Sequence, residues 1–174
     1  MVKAEKTPQD GERHVSLPYS DLAAWIPEGI YTQTADAFGL YRLANIKALS
    51  FLAFIGIGHA AKDQYFSNFV HDRFEHSFVV ALIVEKILKE NNFPENDISH
   101  GIVAALNHDR ATPALGDATK SIDHNALDEE DHWAEDLPKQ TEAFMNKYCI
   151  NRERVDKIIK NQGVLGKVLD IADR

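Results

Sequence analysis

Three short segments carry side chains able to hold a divalent cation: Arg73-Phe74-Glu75-His76-Ser77, Asn107-His108-Asp109 and Asp170-Ile171-Ala172-Asp173-Arg174. Each sets an imidazole or carboxylate beside an apolar run, so three helices far apart in the chain are expected to deliver His76, His108, Asp109 and Asp173 to one metal ion. Two neutral imidazoles and two carboxylates suit Mn, Fe, Co, Ni or Zn and leave positions for water and a substrate oxygen. An ion so held polarises a bound oxygen and lowers the pKa of its water, which makes a hydrolase the leading reading. Arg73 lies three residues before His76 and shares its face if a helix begins there, which would bring a fixed cation to the edge of the site.

A His-Asp dipeptide alone says little, and His71-Asp72 is a second copy. The joint pattern carries the reading: Arg-x-x-His-Ser before one apolar helix, His-Asp after another, Ala-Asp-Arg closing a third. His59, His71 and His100 read as solvated or capping residues.

The elements that must position these groups are helical. From Asp36 to Phe54 the apolar positions Phe38, Leu40, Leu43, Ile46, Leu49 and Leu52 step by two to four residues and predict a mostly buried helix, ended by Gly56 and Gly58. Ser77 to Glu90 predicts a strong helix with Phe78, Ala81, Val84 and Leu88 inward, broken by Asn91-Asn92 and Pro94. A helix from about Asp97 runs into Asn107-His108-Asp109, with Pro113 and Gly116 beyond it. Adjacent residues on a regular helix diverge by roughly 100°, so a loosening helix end is what lets His108 and Asp109 converge on one ion.

Further helices are expected through Phe144 and Tyr148, from Asn151 as cap to a stop at Gly163, and from near Val164 to the last residue. No segment shows the alternation of an exposed strand. The fold class expected is all-α, a helical bundle spanning residues 21–174 behind a flexible N-terminal tail at 1–20, where Pro8, Gly11 and Pro18 interrupt charged side chains.

With 174 residues and 44% hydrophobic content the chain has material for one core. A net charge of −8 opposes broad attraction to a nucleic-acid backbone. Cys149 is the only cysteine, which excludes an internal disulfide and fits a reducing cytoplasm. The apolar stretch from Ala48 to Ala61 is shorter than the ~20 residues a bilayer span needs, so no membrane partner is expected.

The chain resembles the HD-domain phosphohydrolase superfamily, and within it the deoxynucleoside triphosphate triphosphohydrolase branch, over roughly Ile30 to Arg174. Leu40-Tyr41-Arg42-Leu43-Ala44-Asn45-Ile46-Lys47-Ala48-Leu49 looks like the branch's RL-x-x-IKQLG helix, Arg73 to Ser77 matches its RFEHS, and Ala104 to Gly116 is similar to its ALLHDIGHPPFG. The resemblance implies an HD-domain helical bundle and a metal held by His76, His108, Asp109 and Asp173, with Arg73 against phosphate. It also implies a nucleotide or related phosphorylated small molecule as substrate, and assembly into homo-oligomers. Members of the branch continue past the position of Arg174, so the chain is expected to be incomplete there.

The pattern departs at several places. Thr112 and Asp117 stand where the branch has two further histidines, Ala48 where it has a sugar-recognising glutamine, and Ser50 where it has glycine. An unperturbed aspartate is ionised near neutral pH and repels a polyphosphate, so Asp117 needs a raised pKa to serve as an acid. His132, within Asp131-His132-Trp133-Ala134-Glu135, resembles a downstream family histidine; surrounding acids favour its imidazolium and suit it to proton donation, with His124 competing for that role. Proton transfer is expected from His132 or Asp117. The missing histidines also motivate an alternative, a degenerate HD module that binds a nucleotide or metal for regulation without turnover.

Overall fold

The computed structural model describes residues 13–16, 23–26, 29–46, 72–114 and 129–174. Its packed body is all helix: α1 (Ile30–Phe38), a 3-10 segment (Leu40–Asn45), α2 (Arg73–Glu90), α3 (Glu95–Asn107), α4 (Glu129–His132), α5 (Gln140–Lys147), α6 (Arg152–Ile159) and α7 (Gly163–Asp173). One two-stranded antiparallel ribbon accompanies it, β1 (Arg13–Ser16) paired with β2 (Ala23–Ile26), with Val15 opposite Ala24 and His14 opposite Trp25. Part of the expected N-terminal tail is therefore strand. Neither Arg13–Ser16 nor Ala23–Ile26 alternates apolar and polar residues, so neither carries the strand pattern in its sequence.

α3 is the central helix. Its residues Ile98, Ile102, Val103, Ala104, Ala105 and Leu106 are buried on every side, as a helix apolar all round must be. It packs against α1, α2, α6 and α7, and its pairing with α2 is the most extensive in the body. Gly101 sets how closely those two helices approach, since a Cβ there would lie 2.7 Å from Leu88 Cδ1.

The helix predicted from Asp36 to Phe54 is interrupted. α1 ends at Gly39, whose φ of 68° is left-handed, and the chain continues as the 3-10 segment. The spacing of Leu40, Leu43 and Ile46 explains this, because residues three apart eclipse on one side of a 3-10 helix, and all three are buried. Positions 47–54 of that reading, among them Ala48 and Ser50, lie outside the described residues, as do His59 and His71.

α2 begins earlier than its apolar pattern announces. The Asp72 carboxylate accepts the Glu75 backbone N–H at 2.8 Å, an N-cap that puts Arg73 to His76 into the first turn. At the other end of the chain Asn151 caps α6 as expected, accepting the Arg154 N–H at 2.9 Å. Gly163, expected as a stop, instead opens α7 with a φ of 72°. Gly166 then lets α7 pass against the end of α6, where an added Cβ would meet the Asn161 backbone at 2.6 Å. Among the described residues no helix is long and apolar enough to cross a membrane.

Candidate metal centre

Three helix ends meet at one place. His76 stands in the first turn of α2, His108 is the residue closing α3, and Asp173 is the last residue of α7. Past His108 the backbone relaxes into turns, with Arg110 N–H bonded to Asn107 O at 2.9 Å and Thr112 N–H to Asp109 O at 2.9 Å. That loosening swings the Asp109 carboxylate to the same side as its neighbour's imidazole, as the sequence requires.

His76 Nε2 lies 2.8 Å from Asp173 Oδ1 and 3.8 Å from Asp109 Oδ2. His108 Nε2 lies 3.2 Å from Asp173 Oδ1 and 3.6 Å from Asp109 Oδ2. Two ligand atoms about 2.1 Å from a common ion at tetrahedral or octahedral angles are themselves roughly 3.0 to 3.5 Å apart, so these separations fit one ion with small adjustments. The donor atoms of His76, His108 and Asp109 all lie within 4.8 Å of one another, and this group can hold a metal ion.

The state of His108 makes the stronger case. Its Nδ1–H donates to Ala105 O at 2.6 Å, which leaves Nε2 as the lone-pair nitrogen in the neutral ring. That Nε2 is buried, and among the described residues it meets no hydrogen-bond partner in good geometry, Asp173 Oδ1 lying 3.2 Å away. A buried polar atom is seldom left so, and a metal ion is the partner its surroundings suit.

Charge around the cluster is nearly balanced. Burial works against the charged form of His108, but the carboxylates of Asp109 and Asp173 overcome it and raise the ring to about 9. Burial likewise opposes the Asp109 carboxylate, and His108, Arg73 and His76 together still hold it below its ordinary range. The His108 and His76 imidazoles hold Asp173 far below its own. Both acids are thus anionic at neutral pH, and a divalent cation takes over the positive charge supplied by protonated imidazole.

Arg73 sits beside the cluster with Nη1 2.9 Å from Asp109 Oδ2. Thr112 is fully buried and donates its hydroxyl to the other oxygen, Asp109 Oδ1, at 3.3 Å. Behind the turn, Arg42 donates to Thr112 O at 2.9 Å and also to Arg110 O. Arg110 points away from the cluster and gathers Phe38 O at 3.1 Å, Trp133 O at 2.7 Å, Glu135 O at 2.8 Å and Asp136 O at 3.2 Å.

No family model, curated protein or solved structure matches the chain. The metal reading accordingly rests on the side chains themselves.

Of the residues singled out in the sequence, His76, His108, Asp109, Asp173 and Arg73 come together. His132, on the last turn of α4, pairs through Nδ1 with Glu135 Oε1 at 2.7 Å. Asp117 and His124 lie outside the described residues. His100 is buried rather than solvated: its Nδ1 donates to Asn96 O at 2.6 Å and its Nε2 accepts the Asn151 N–H at 3.0 Å, joining α3 to the start of α6. Arg42, Arg110 and Thr112 carry supporting roles that their sequence positions do not disclose. Their partners are backbone carbonyls up to 72 residues away and a carboxylate three residues back, contacts with no pattern in the chain.

Proposed function

We propose that this chain is a divalent-metal-dependent phosphohydrolase of the HD type, acting on a nucleotide or related phosphoester or phosphoanhydride, with a deoxynucleoside triphosphate as the specific candidate. The observation that carries the reading is the meeting of His76 Nε2, His108 Nε2, Asp109 Oδ2 and Asp173 Oδ1 at separations that suit one shared ion. In this reading the four side chains hold one transition metal ion. The ion supplies Lewis acidity and lowers the pKa of water, the usual contributions to phosphoryl hydrolysis. Arg73, held against Asp109, brings a fixed positive charge to the edge of the cluster, where a phosphate oxygen needs one. His132 or Asp117 handles the proton of the leaving group, and Glu135 orients the His132 ring. A small phosphorylated partner, a cytoplasmic setting and self-assembly belong to the same reading.

One observation favours the second reading, a module that binds without turnover. Thr112 directs its hydroxyl at Asp109 and is buried, so it has no proton to offer a substrate.

Elemental analysis of purified protein, combined with a Mn2+-supplemented nucleotide and phosphatase screen, separates the readings. About one transition metal per chain and hydrolysis abolished in His108→Ala support the phosphohydrolase. Bound metal with no turnover of any substrate sinks it in favour of the binding module. Protein that takes up no metal leaves only a helical interaction domain.

A further inference from the structure

Asp109 offers two oxygens to the cluster, and the structure treats them differently. Oδ2 is the oxygen that both imidazole nitrogens approach, at 3.6 Å from His108 Nε2 and 3.8 Å from His76 Nε2, and Arg73 Nη1 meets it at 2.9 Å. Oδ1 faces the Thr112 hydroxyl at 3.3 Å, in a setting where Thr112 is fully buried and Asp109 is 2% exposed. Thr112 has little freedom to do anything else. Its N–H closes the turn onto Asp109 O at 2.9 Å, and its own carbonyl is held by Arg42 Nη1 at 2.9 Å.

We propose that Thr112 is a positioning residue that engages Asp109 Oδ1 and so restricts this carboxylate to binding the ion through Oδ2 alone. The inference rests on the metal reading above and adds to it the denticity of one ligand. A carboxylate that binds through one oxygen occupies one coordination position; the same group chelating through both occupies two and removes a place for water or a phosphate oxygen. The hydroxyl is suited to that choice because it donates to Oδ1 while the methyl group of the same side chain fills buried space without competing for the ion. Arg42 acts one step further back, by fixing the carbonyl of the residue that carries the hydroxyl.

The test uses the full chain and Mn2+ as probe, in Thr112→Val, Thr112→Ala and Thr112→Ser. Loss of a hydrogen bond to a ligating group costs on the order of 10-fold in metal affinity. Thr112→Val and Thr112→Ala are therefore expected to bind Mn2+ about 10-fold more weakly by calorimetry, with Thr112→Ser within about 2-fold of the parent. Infrared difference spectra of metal-loaded against metal-free protein read the denticity directly: the carboxylate stretches are widely split in the parent and in Thr112→Ser, and close together in the variants without a hydroxyl. Should Thr112→Val not fold, Thr112→Ala gives the same answer. Unchanged affinity and unchanged carboxylate bands in the hydroxyl-free variants overturn the proposal. Equal weakening in all three variants, tracking a lower melting temperature of the metal-free protein, also overturns it, because the role is then packing. A parent protein that binds no Mn2+ fails at the metal reading itself, and the proposal falls with it.

Discussion

His108 turns its Nδ1 onto the carbonyl of Ala105, 2.6 Å away, and this one contact decides which ring nitrogen faces the cluster. A histidine at a relaxed helix end has two ring nitrogens to offer, and the bond back into the preceding turn commits the second. In Zn2+-loaded protein, 15N NMR is expected to find the His108 Nδ1 protonated and Nε2 shifted by coordination. His108→Ala is expected to weaken metal binding by roughly 100-fold or more, beyond what losing a supporting hydrogen bond costs. A proton on Nε2 in the loaded protein rules out this ring as the ligand described.

Arg110 next to the cluster supports the fold rather than the ion. Its guanidinium spans carbonyls of Phe38, Trp133, Glu135 and Asp136, tying the end of α1 to the turn after His132. Lysine keeps the charge but concentrates its donors at one point and cannot span that set. Arg110→Lys is expected to cost about 2 kcal/mol in urea denaturation, since several partners are partly solvated and re-bond to water. Hydrogen exchange localises the effect: amides of residues 132–136 exchange faster, while those in the middle of α3 keep their relative protection.

His100 gives the fold a dependence on mild acid that begins near the ordinary histidine pKa. Burial lowers its pKa below the ordinary 6.5, and Arg154 adds to this, against an opposing contribution from Asp97 and the bond to Asn96 O. The neutral ring is also what the contacts demand, because Nε2 accepts the Asn151 N–H and protonation would set donor against donor. The unfolded chain therefore binds this proton more readily than the folded one. The stabilisation is fully present above about pH 6.5 and is lost as pH falls through that value toward the lower folded pKa. His100→Gln, which retains an acceptor for Asn151, is expected to be less stable than the parent at pH 7.5, with the gap narrowing toward pH 5. Parallel stability curves of the two chelator-treated proteins across that range refute the assignment.

Much of the bundle was legible because the chain states it locally. Asn151 announces the start of α6, Asn91-Asn92 and Pro94 separate α2 from α3, and the apolar run into Asn107-His108-Asp109 places the pair at a helix end. Arg73, His76 and the His-Asp pair were legible as a set through their joint pattern, each segment lying at the end of an apolar helical run. What the sequence concealed depends on backbone geometry. Gly39 cuts a continuous apolar pattern in two, because a period near three serves a 3-10 turn as well as a buried helix face. Asp72 hid as half of a second His-Asp pair while serving as the cap that starts α2 at Arg73. Arg42 and Arg110 have backbone carbonyls as their partners, and every residue type offers those equally.

Gly166 connects packing to the proposed ligand set. It lies seven residues before Asp173, two turns back on the same side of α7, where the helix crosses the end of α6. A Cβ at this position would stand 2.6 Å from Asn161 C, 2.9 Å from Asn161 Cα and 3.1 Å from Ile158 O. These are backbone atoms, and no side-chain rotation relieves the clash, so α7 must lift away or tilt. Gly166→Ala is expected to destabilise the protein by roughly 2 kcal/mol in denaturant, the overpacking cost exceeding the ~1 kcal/mol that alanine gains in a helix interior. A tilt at Gly166 also displaces Asp173 Oδ1 from His76 and His108, so metal affinity falls together with stability. In Lys167→Ala, on the exposed side of the same helix, neither quantity moves appreciably. Gly166→Ala protein as stable as the parent and equally avid for Mn2+ shows that α7 does not need this close crossing to bring its last carboxylate to the imidazoles.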